Sequence, residues 1–316
     1  MTYPGTVKNV LLAKETTWGT EVSPTKDVGL LLKDVSYNWE REVTESLGIG
    51  AIDTQAVNGG IFDPKITLNG EFQHGRLLEF IFGTVSHSST GSDTKHTFTV
   101  SDTPPSASFE IGNNLSAGDT EATMTGMLVE SAELSIELNG ILMLSVTFAG
   151  KTVATSTTAA AAVLSTLQNF PHALCTVKLN DVAATECQEA KITITKVVER
   201  SGGISSNLFQ QGHAVELKLG YSATLGFSDA TYHNLWLGGS SPSTTSNPTA
   251  FNFEIIADNG TALGSGKRDV SIKLDSTIGK TFNEVTSIGG LTFVEIEGSG
   301  KFNSAYSTDN IASGSW

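Results

Sequence analysis

Residues 64–83, PKITLNGEFQHGRLLEFIFG, change period halfway along. Ile66, Leu68 and Phe72 are apolar and alternate with Thr67, Asn69 and Glu71, the period of a half-buried strand. Leu77, Leu78, Phe80, Ile81 and Phe82 then crowd one side of a short helix. Gly83 follows, where a helix C-terminus favours a residue free to take positive φ. This strand-then-helix unit is the clearest in the first half of the chain, and a weaker copy of it occurs in the second.

Upstream, residues 1–27 read as an N-terminal arm. It carries a short apolar run at 10–13 and then ETTWGTEVSPT at 15–25. Trp18, in this polar and turn-rich setting, either plugs into a neighbouring surface or caps its own domain. Strands begin at residue 28, with Val35, Tyr37 and Trp39 alternating with Ser36, Asn38 and Glu40. Residues 44–63 hold four glycines and no clear period, and are long for a turn. They are expected to form a projecting hairpin or arm that docks on another subunit.

Downstream of the helix, residues 85–94 read as a polar loop. Residues 95–100 and 106–111 read as short strands around Pro104-Pro105. Asn139-Gly140 is the strong two-residue turn signal of a hairpin between 127–137 and 141–148. Residues 152–172 shift to Thr and Ala, and a linker is placed there. The expected organisation is therefore an arm at 1–27, a β domain at 28–151, a linker at 152–172 and a second β domain at 173–316.

The second half repeats the plan. Strands at 174–179 and 190–198 lead to a Gly/Ser/Gln loop at 199–213, the counterpart of 44–63. A strand at 215–225 precedes a short helix with Ser228 or Asp229 as N-cap, Tyr232, Leu235 and Trp236 on one face, and Gly238 as its stop. Residues 139–151 (NGILMLSVTFAGK) align with 289–301 (GGLTFVEIEGSGK) at a shift of 150. The helices align at a shift of 155, Leu77 on Tyr232, Phe80 on Leu235 and Ile81 on Trp236. Residues 251–256 parallel 106–111. A tandem duplication accounts for this order of elements.

Composition sets limits on chemistry. The chain has 316 residues and a net charge of −14, with its 19 basic residues scattered rather than clustered, which argues against a phosphate-gripping surface. Charged residues are only 16% and hydroxyl and amide side chains abundant, a surface suited to strands and protein contacts. Cys175 and Cys187 read as free thiols of a reducing compartment. The N-terminus lacks the apolar core of a secretory signal, and no run is long enough to span a membrane. The histidines lack metal-ligand spacing, and there is no G-x-S-x-G, P-loop or G-x-G-x-x-G opening a helix. Gly48-x-Gly50, Asp53, Asp63 and Asp229 read as loop residues. No catalytic residue, metal or cofactor is expected.

The segments ETTWGTEVSPT, GRLLEFIFG (75–83), HTFTV (96–100) with PPSASFEIG (104–112), and VTFAGK (146–151) together resemble the tail tube (major tail) protein family of long-tailed, siphovirus-like phages and related viruses. The resemblance covers most of the chain. It implies a mainly β fold: two tandem tail-tube-type β-sandwich or barrel domains, each with one short flanking α-helix and a long projecting loop. It further implies a structural virion protein of the tail, assembled in the host cytoplasm, whose rings stack into a conduit for viral DNA. Three chains would then supply a pseudo-hexameric ring; a hexamer with an outer decorating domain is the alternative. The partners implied are the chain itself, the tape measure protein, tail terminator and baseplate proteins, and DNA that passes without sticking; no membrane is involved. Inter-subunit contacts are expected at Trp18, Leu47, Ile49, Ile52, Val57, Ile61, Phe62, Ile204, Leu208 and Phe209. Leu77, Phe80, Ile81, Tyr232, Leu235 and Trp236 are expected to pack the helices on their sheets. A virion decoration or baseplate β-sandwich protein, and a tandem β-sandwich adhesin or carbohydrate-binding module, remain as rival readings.

Overall fold

The computed structural model describes residues 6–46, 56–114, 120–156, 167–226, 231–237, 239–242, 250–263, 267–286 and 292–312. Leu47, Gly48, Ile49, Gly50, Ile52, Asp53, the Ser228/Asp229 cap, Gly238 and most of the Thr/Ala segment lie outside them. The protein is mainly β. The first half runs β1 (Thr6–Lys14), β2 (Lys26–Asp27), β3 (Leu30–Ser46), β4 (Ala56–Phe72), α1 (Arg76–Phe82), β5 (Gly83–Thr90), β6 (Asp93–Val100), β7 (Ala107–Asn114), β8 (Thr120–Glu137), β9 (Met143–Ala149) and β10 (Thr152–Ser156). The second runs β11 (Cys175–Leu179), β12 (Val182–Ala183), β13 (Cys187–Gly202), β14 (Phe209–Gly226), α2 (Thr231–Leu237), β15 (Phe251–Ala262), β16 (Lys267–Thr286) and β17 (Thr292–Asp309).

In the first half, one antiparallel layer is ordered β2–β1–β7–β8–β10 and the other β3–β4–β9–β8. β8 serves both. It turns the corner near Gly126, which has φ 71°, and at a bulge between Val129 and Ser131. Phe72, Phe80, Phe109 and Phe148 fill the space between the layers and around α1. Phe109 meets Phe148 edge-on at 4.8 Å. All seven residues of α1 are buried, and Gly83 takes φ 131° with its N–H bonded to the Glu79 carbonyl. At ~1.5–3 kcal/mol per buried Leu, Ile or Phe, the α1 face contributes heavily to this core.

The second half shows the same ladders. β12–β11–β15–β16 forms one layer, and β13–β14–β17–β16 the other. The register matches as well as the order. Tyr37 pairs Ile66 and Ile66 pairs Phe148; Ile192 pairs Tyr221 and Tyr221 pairs Gly298. These are the 155 and 150 shifts of the sequence comparison. The corner of β8 at Gly126 recurs 150 residues later at Ser276, φ 50°, beside a bulge between Asp275 and Ile278. For β7 and β15 the ladders set the shift at 144, with Phe109 on Met124 and Phe253 on Leu274. The alignment of 251–256 with 106–111 is one residue out, which would exchange the two faces of the strand.

Several stretches are more regular than their composition suggests. Residues 6–14 lie in the presumed arm, yet they are a core strand: Val10, Leu11, Leu12 and Ala13 are buried between β2 and β7. The polar stretch 85–94 is most of the β5–β6 hairpin, turning at Gly91 with φ 66°. Thr152–Ser156, at the start of the presumed linker, pairs with β8 as β10. The described parts of 44–63 and 199–213 are the paired tips of two long hairpins, and only residues 203–208 interrupt the second. Polar residues form these strands because strand partners, not the hydrophobic pattern, satisfy their backbones.

Candidate assembly surfaces

The two halves are joined by backbone. Residues 131–137 of β8 pair with 189–195 of β13, from Ser131↔Thr195 to Glu137↔Glu189. A continuous sheet β3–β4–β9–β8–β13–β14–β17–β16 results. Its inner face carries Ile66, Leu68, Val146, Leu134, Ile192, Ile194 and Ile296, all buried. The opposite face carries Ser36, Asn38, Thr67, Asn69, Thr147, Thr193 and Ser222. Asp34, Glu133, Glu189, Glu295 and Glu297 share that polar face with Lys65, Lys191 and Lys218. Glu137 and Glu189 are directly opposed, a disfavoured like-charge pair, and Lys191 ties down Glu189 at 2.6 Å.

A second seam runs along the other layer. Residues 305–309 of β17 pair with 94–98 of β6. Buried His96 bonds Asp309 through Nε2 at 3.0 Å and His87 through Nδ1 at 2.6 Å. The Arg268 guanidinium donates to the Gln73 carbonyl, and Phe82 lies 4.6 Å from Phe302.

The hairpins β3–β4 and β13–β14 lie against each other. The Phe62 N–H donates to the Asn207 carbonyl at 2.9 Å, and Ile61 contacts Gly202 so closely that a Cβ there would sit 2.7 Å from its Cδ1. Arg200 reaches across to Asp63 and to the Gly150 carbonyl, with its guanidinium 4.4 Å above the Phe209 ring. Arg41 lies over Phe62. Val57 and Ile204 are exposed, while Leu208 is half-buried, its N–H bonded to the Ser206 hydroxyl.

Trp18 makes its contacts within the chain. Its indole N–H donates to the Gly126 carbonyl at 3.0 Å, Lys151 lies over its ring, and its edge is against Gly212 of β14. Sequence inspection passed over the residue that sets this segment, Glu15. Its buried carboxylate accepts from the Gly19 N–H, the Gly126 N–H, and the Ser106 and Ser108 hydroxyls. In the sequence only the Glu15–Gly19 spacing marks it; in the structure Gly19 takes φ 69°.

The helices differ in cover. Leu77, Phe80 and Ile81 are buried, whereas no residue of α2 is. The C-terminal turn of α1 is closed by Lys196 from β13: buried Nζ donates to the Phe80 carbonyl at 3.1 Å, and burial pushes this lysine down to about 8. Tyr232, Leu235 and Trp236 are half-exposed. Trp236 lies on Gly279, where a Cβ would meet its ring at 2.2 Å. Its ring is 5.7 Å from Phe282, which in turn stacks on His233 at 4.6 Å.

Among the described residues no group of three or more His, Cys, Asp or Glu is placed to hold a metal, and no helix is long and apolar enough to cross a membrane. Both cysteines are free, their thiols pushed up to about 12 by burial. No curated protein sequence matches the chain. Residues 5–300 match the family model described as phage tail tube protein, which is nearly the whole length; with a mainly β, sandwich-like fold beneath that match, the chain belongs to the phage tail tube protein family.

Proposed function

We propose that this protein is a tail tube subunit that adds to copies of itself head to tail, three chains closing a pseudo-hexameric ring, and that rings stack into the conduit for DNA ejection. One observation carries this reading. The β8–β13 seam joins two halves of matching ladder order, while the strands equivalent to the two sides of that seam, β16 and β3, end the sheet with no further strand beside them among the described residues. Such edges are sites for strand addition, and a closed ring removes them.

The matched registers favour a tandem duplication, with the first unit running from β1 to β10 and the second from β11 to β17. They also favour three chains over six with an outer second domain, because the second sheet lies in line with the first. The long hairpins, with Leu47, Ile49 and Ile52 near the tip of the first, would bridge to the next ring or neighbour. The polar face would line the lumen, where Asp34, Glu133, Glu295 and Glu297 disfavour phosphate contacts and let DNA slide. Tape measure protein within and terminator or baseplate proteins at the ends are the further partners of such a tube, in the virion tail.

Electron microscopy of the concentrated protein tests this. Hollow tubes or ring stacks with threefold or pseudo-sixfold symmetry are expected; a chain that stays monomeric at all concentrations, even with tail initiators, overturns it.

A further inference from the structure

Within one chain, the β8–β13 seam does more than extend the sheet. It buries Ile192 and Ile194 of β13, which are 0% and 1% exposed, and it brings Lys196 onto the last turn of α1. The ladder equivalents of these residues, at the shift of 155, are Tyr37, Trp39 and Arg41 on β3. Tyr37 and Trp39 are 38% and 40% exposed, their rings 5.5 Å apart, and Arg41 is exposed. The equivalent of the Phe80 carbonyl is that of Leu235 on α2. The equivalents of Ala132 and Leu134 on β8, at the shift of 150, are Phe282 and Glu284 on β16. One end of the chain thus presents an aromatic pair and a cation. The other presents a half-covered aromatic cluster of His233, Trp236 and Phe282 beside the last turn of α2, which carries no basic side chain of its own and where the Gly239 N–H bonds the Asn234 carbonyl.

We propose that the α2 face is completed by the β3–β4 hairpin of a second copy, with Trp39 opposite Phe282, Tyr37 opposite Glu284, and Arg41 capping the last turn of α2 at the Leu235 carbonyl. This rests on the ring reading above and gives it a register. The occupant is argued from continuity with the internal seam: same strand order, same ladder spacing, and a cation at the same step. The chemistry agrees. Aromatic pairs add to the area they bury, and a cation is favoured at a helix C-terminus. The side chains differ in chemistry from the internal seam, Tyr and Trp standing for two Ile, Phe for Ala and Glu284 for Leu134, so that an aromatic ring meets an aromatic ring and the Tyr37 hydroxyl end meets a carboxylate. Trp39 against Ala132, or Ile194 against Phe282, would mismatch in volume, which directs chain end to chain start.

The register is tested with paired cysteines on the polar face. Equivalence with Thr193↔Glu133 places Asn38 opposite Asn283. Oxidation of tubes assembled from the N38C/N283C double variant is expected to yield covalent dimers and trimers on a non-reducing gel. The off-register N38C/T281C pair and each single variant are expected to yield almost none. Trp39→Ala is expected to raise the concentration needed for assembly at least tenfold with the monomer's Tm unchanged. Arg41→Ala is expected to raise it less, and Arg41→Lys to restore it, as lysine serves at the internal seam. Tubes without the N38C/N283C product, equal linking off register, or normal assembly of Trp39→Ala overturns this contact while leaving the tube reading intact. Failure of the unsubstituted chain to assemble at all overturns both.

Discussion

Arg200 Nη1 lies 2.5 Å from Asp63 Oδ1, tying the second long hairpin to the base of the first. The same guanidinium also holds the Gly150 carbonyl and covers Phe209, so three elements converge on one side chain. Arg200→Ala is expected to lower stability by about 2 kcal/mol, the range of a charge-assisted hydrogen bond with partly exposed Asp63 left behind. Arg200→Lys keeps the charge but loses the planar stack, and is expected to fall between. Urea midpoints of the two variants check the order; equal loss in both would place the effect in geometry alone.

Glu15 is the acceptor around which the 15–25 segment is arranged. Removing it strands two backbone N–H groups and two buried hydroxyls, each costing ~1–3 kcal/mol without a partner. Glu15→Ala is therefore expected to cost more than about 3 kcal/mol and to free Trp18, seen as a red shift of tryptophan fluorescence. Trp18→Phe, which loses one hydrogen bond to Gly126, is expected to cost about 1 kcal/mol. A smaller effect for Glu15→Ala than for Trp18→Phe contradicts this ranking.

Asp27, His74 and Arg76 form a buried knot at the start of α1, with His74 Nε2 2.6 Å from Asp27 Oδ2 and Arg76 Nη1 2.5 Å from Oδ1. Burial pushes the Asp27 carboxyl up, but His74 and Arg76 overcome it and hold the group well below the usual carboxylate range. Burial pushes His74 down, against the pull of Asp27. Both shifts have the same sign for stability: the unfolded chain takes the proton first. Stability is therefore expected to fall as pH drops through about 6.5, where unfolded histidine titrates, and to fall further below about 4 as unfolded Asp27 does. Asp27→Asn is expected to be less stable at pH 7 and flatter below pH 4. Tm measured from pH 3 to 8 decides; a wild-type curve that is level across this range counts against the knot.

Ser276 takes the left-handed conformation that Gly126 takes at the equivalent corner. A side chain there costs roughly 1–2 kcal/mol, partly offset by the entropy glycine loses on folding. Ser276→Gly is expected to stabilise by up to about 1 kcal/mol, whereas Gly126→Ala destabilises by more, since its Cβ would sit 2.8 Å from Lys151 Cβ. Thermal denaturation of both variants checks the opposite signs.

The thiols of Cys175 and Cys187, each pushed up to about 12 by burial, are expected to react with a disulfide reagent at pH 8 on the order of a thousandfold more slowly in the folded chain than in urea. Immediate titration of both in the native protein would mean the 175–189 region opens.

Much of this fold can be read without coordinates where local chemistry decides it. The α1 stripe and Gly83 and the 150 and 155 shifts reflect local pattern, and the structure reproduces them, whereas the turn marked by Asn139-Gly140 is centred one residue earlier, on Leu138-Asn139, with Asn139 at φ 62° and the Gly140 N–H on the Glu137 carbonyl. The strand character of β5 and of β1, beyond its apolar run at 10–13, is obscure for a different reason. β1 is held by residues 107–114, and polar β5 pairs with β6, which residues 305–309 hold on its other side, so no hydrophobic period marks either strand. Lys196 is likewise unremarkable in sequence, because its role depends on a helix 116 residues away. Trp18 caps its own half at Gly126 and leans on Gly212 of the second, two contacts within the chain that depend on residues far away in sequence.

The β8–β13 seam closes inside one polypeptide, so it forms at any dilution, whereas its proposed counterpart between β16 and β3 forms only by collision. Equivalent positions would then report on different experiments. A substitution at 131–137 would be felt when the chain is heated, and the matching one at 281–287 would be felt when it is diluted. Covalent linkage of the two halves would turn every second joint of the ring from an encounter into a folding step.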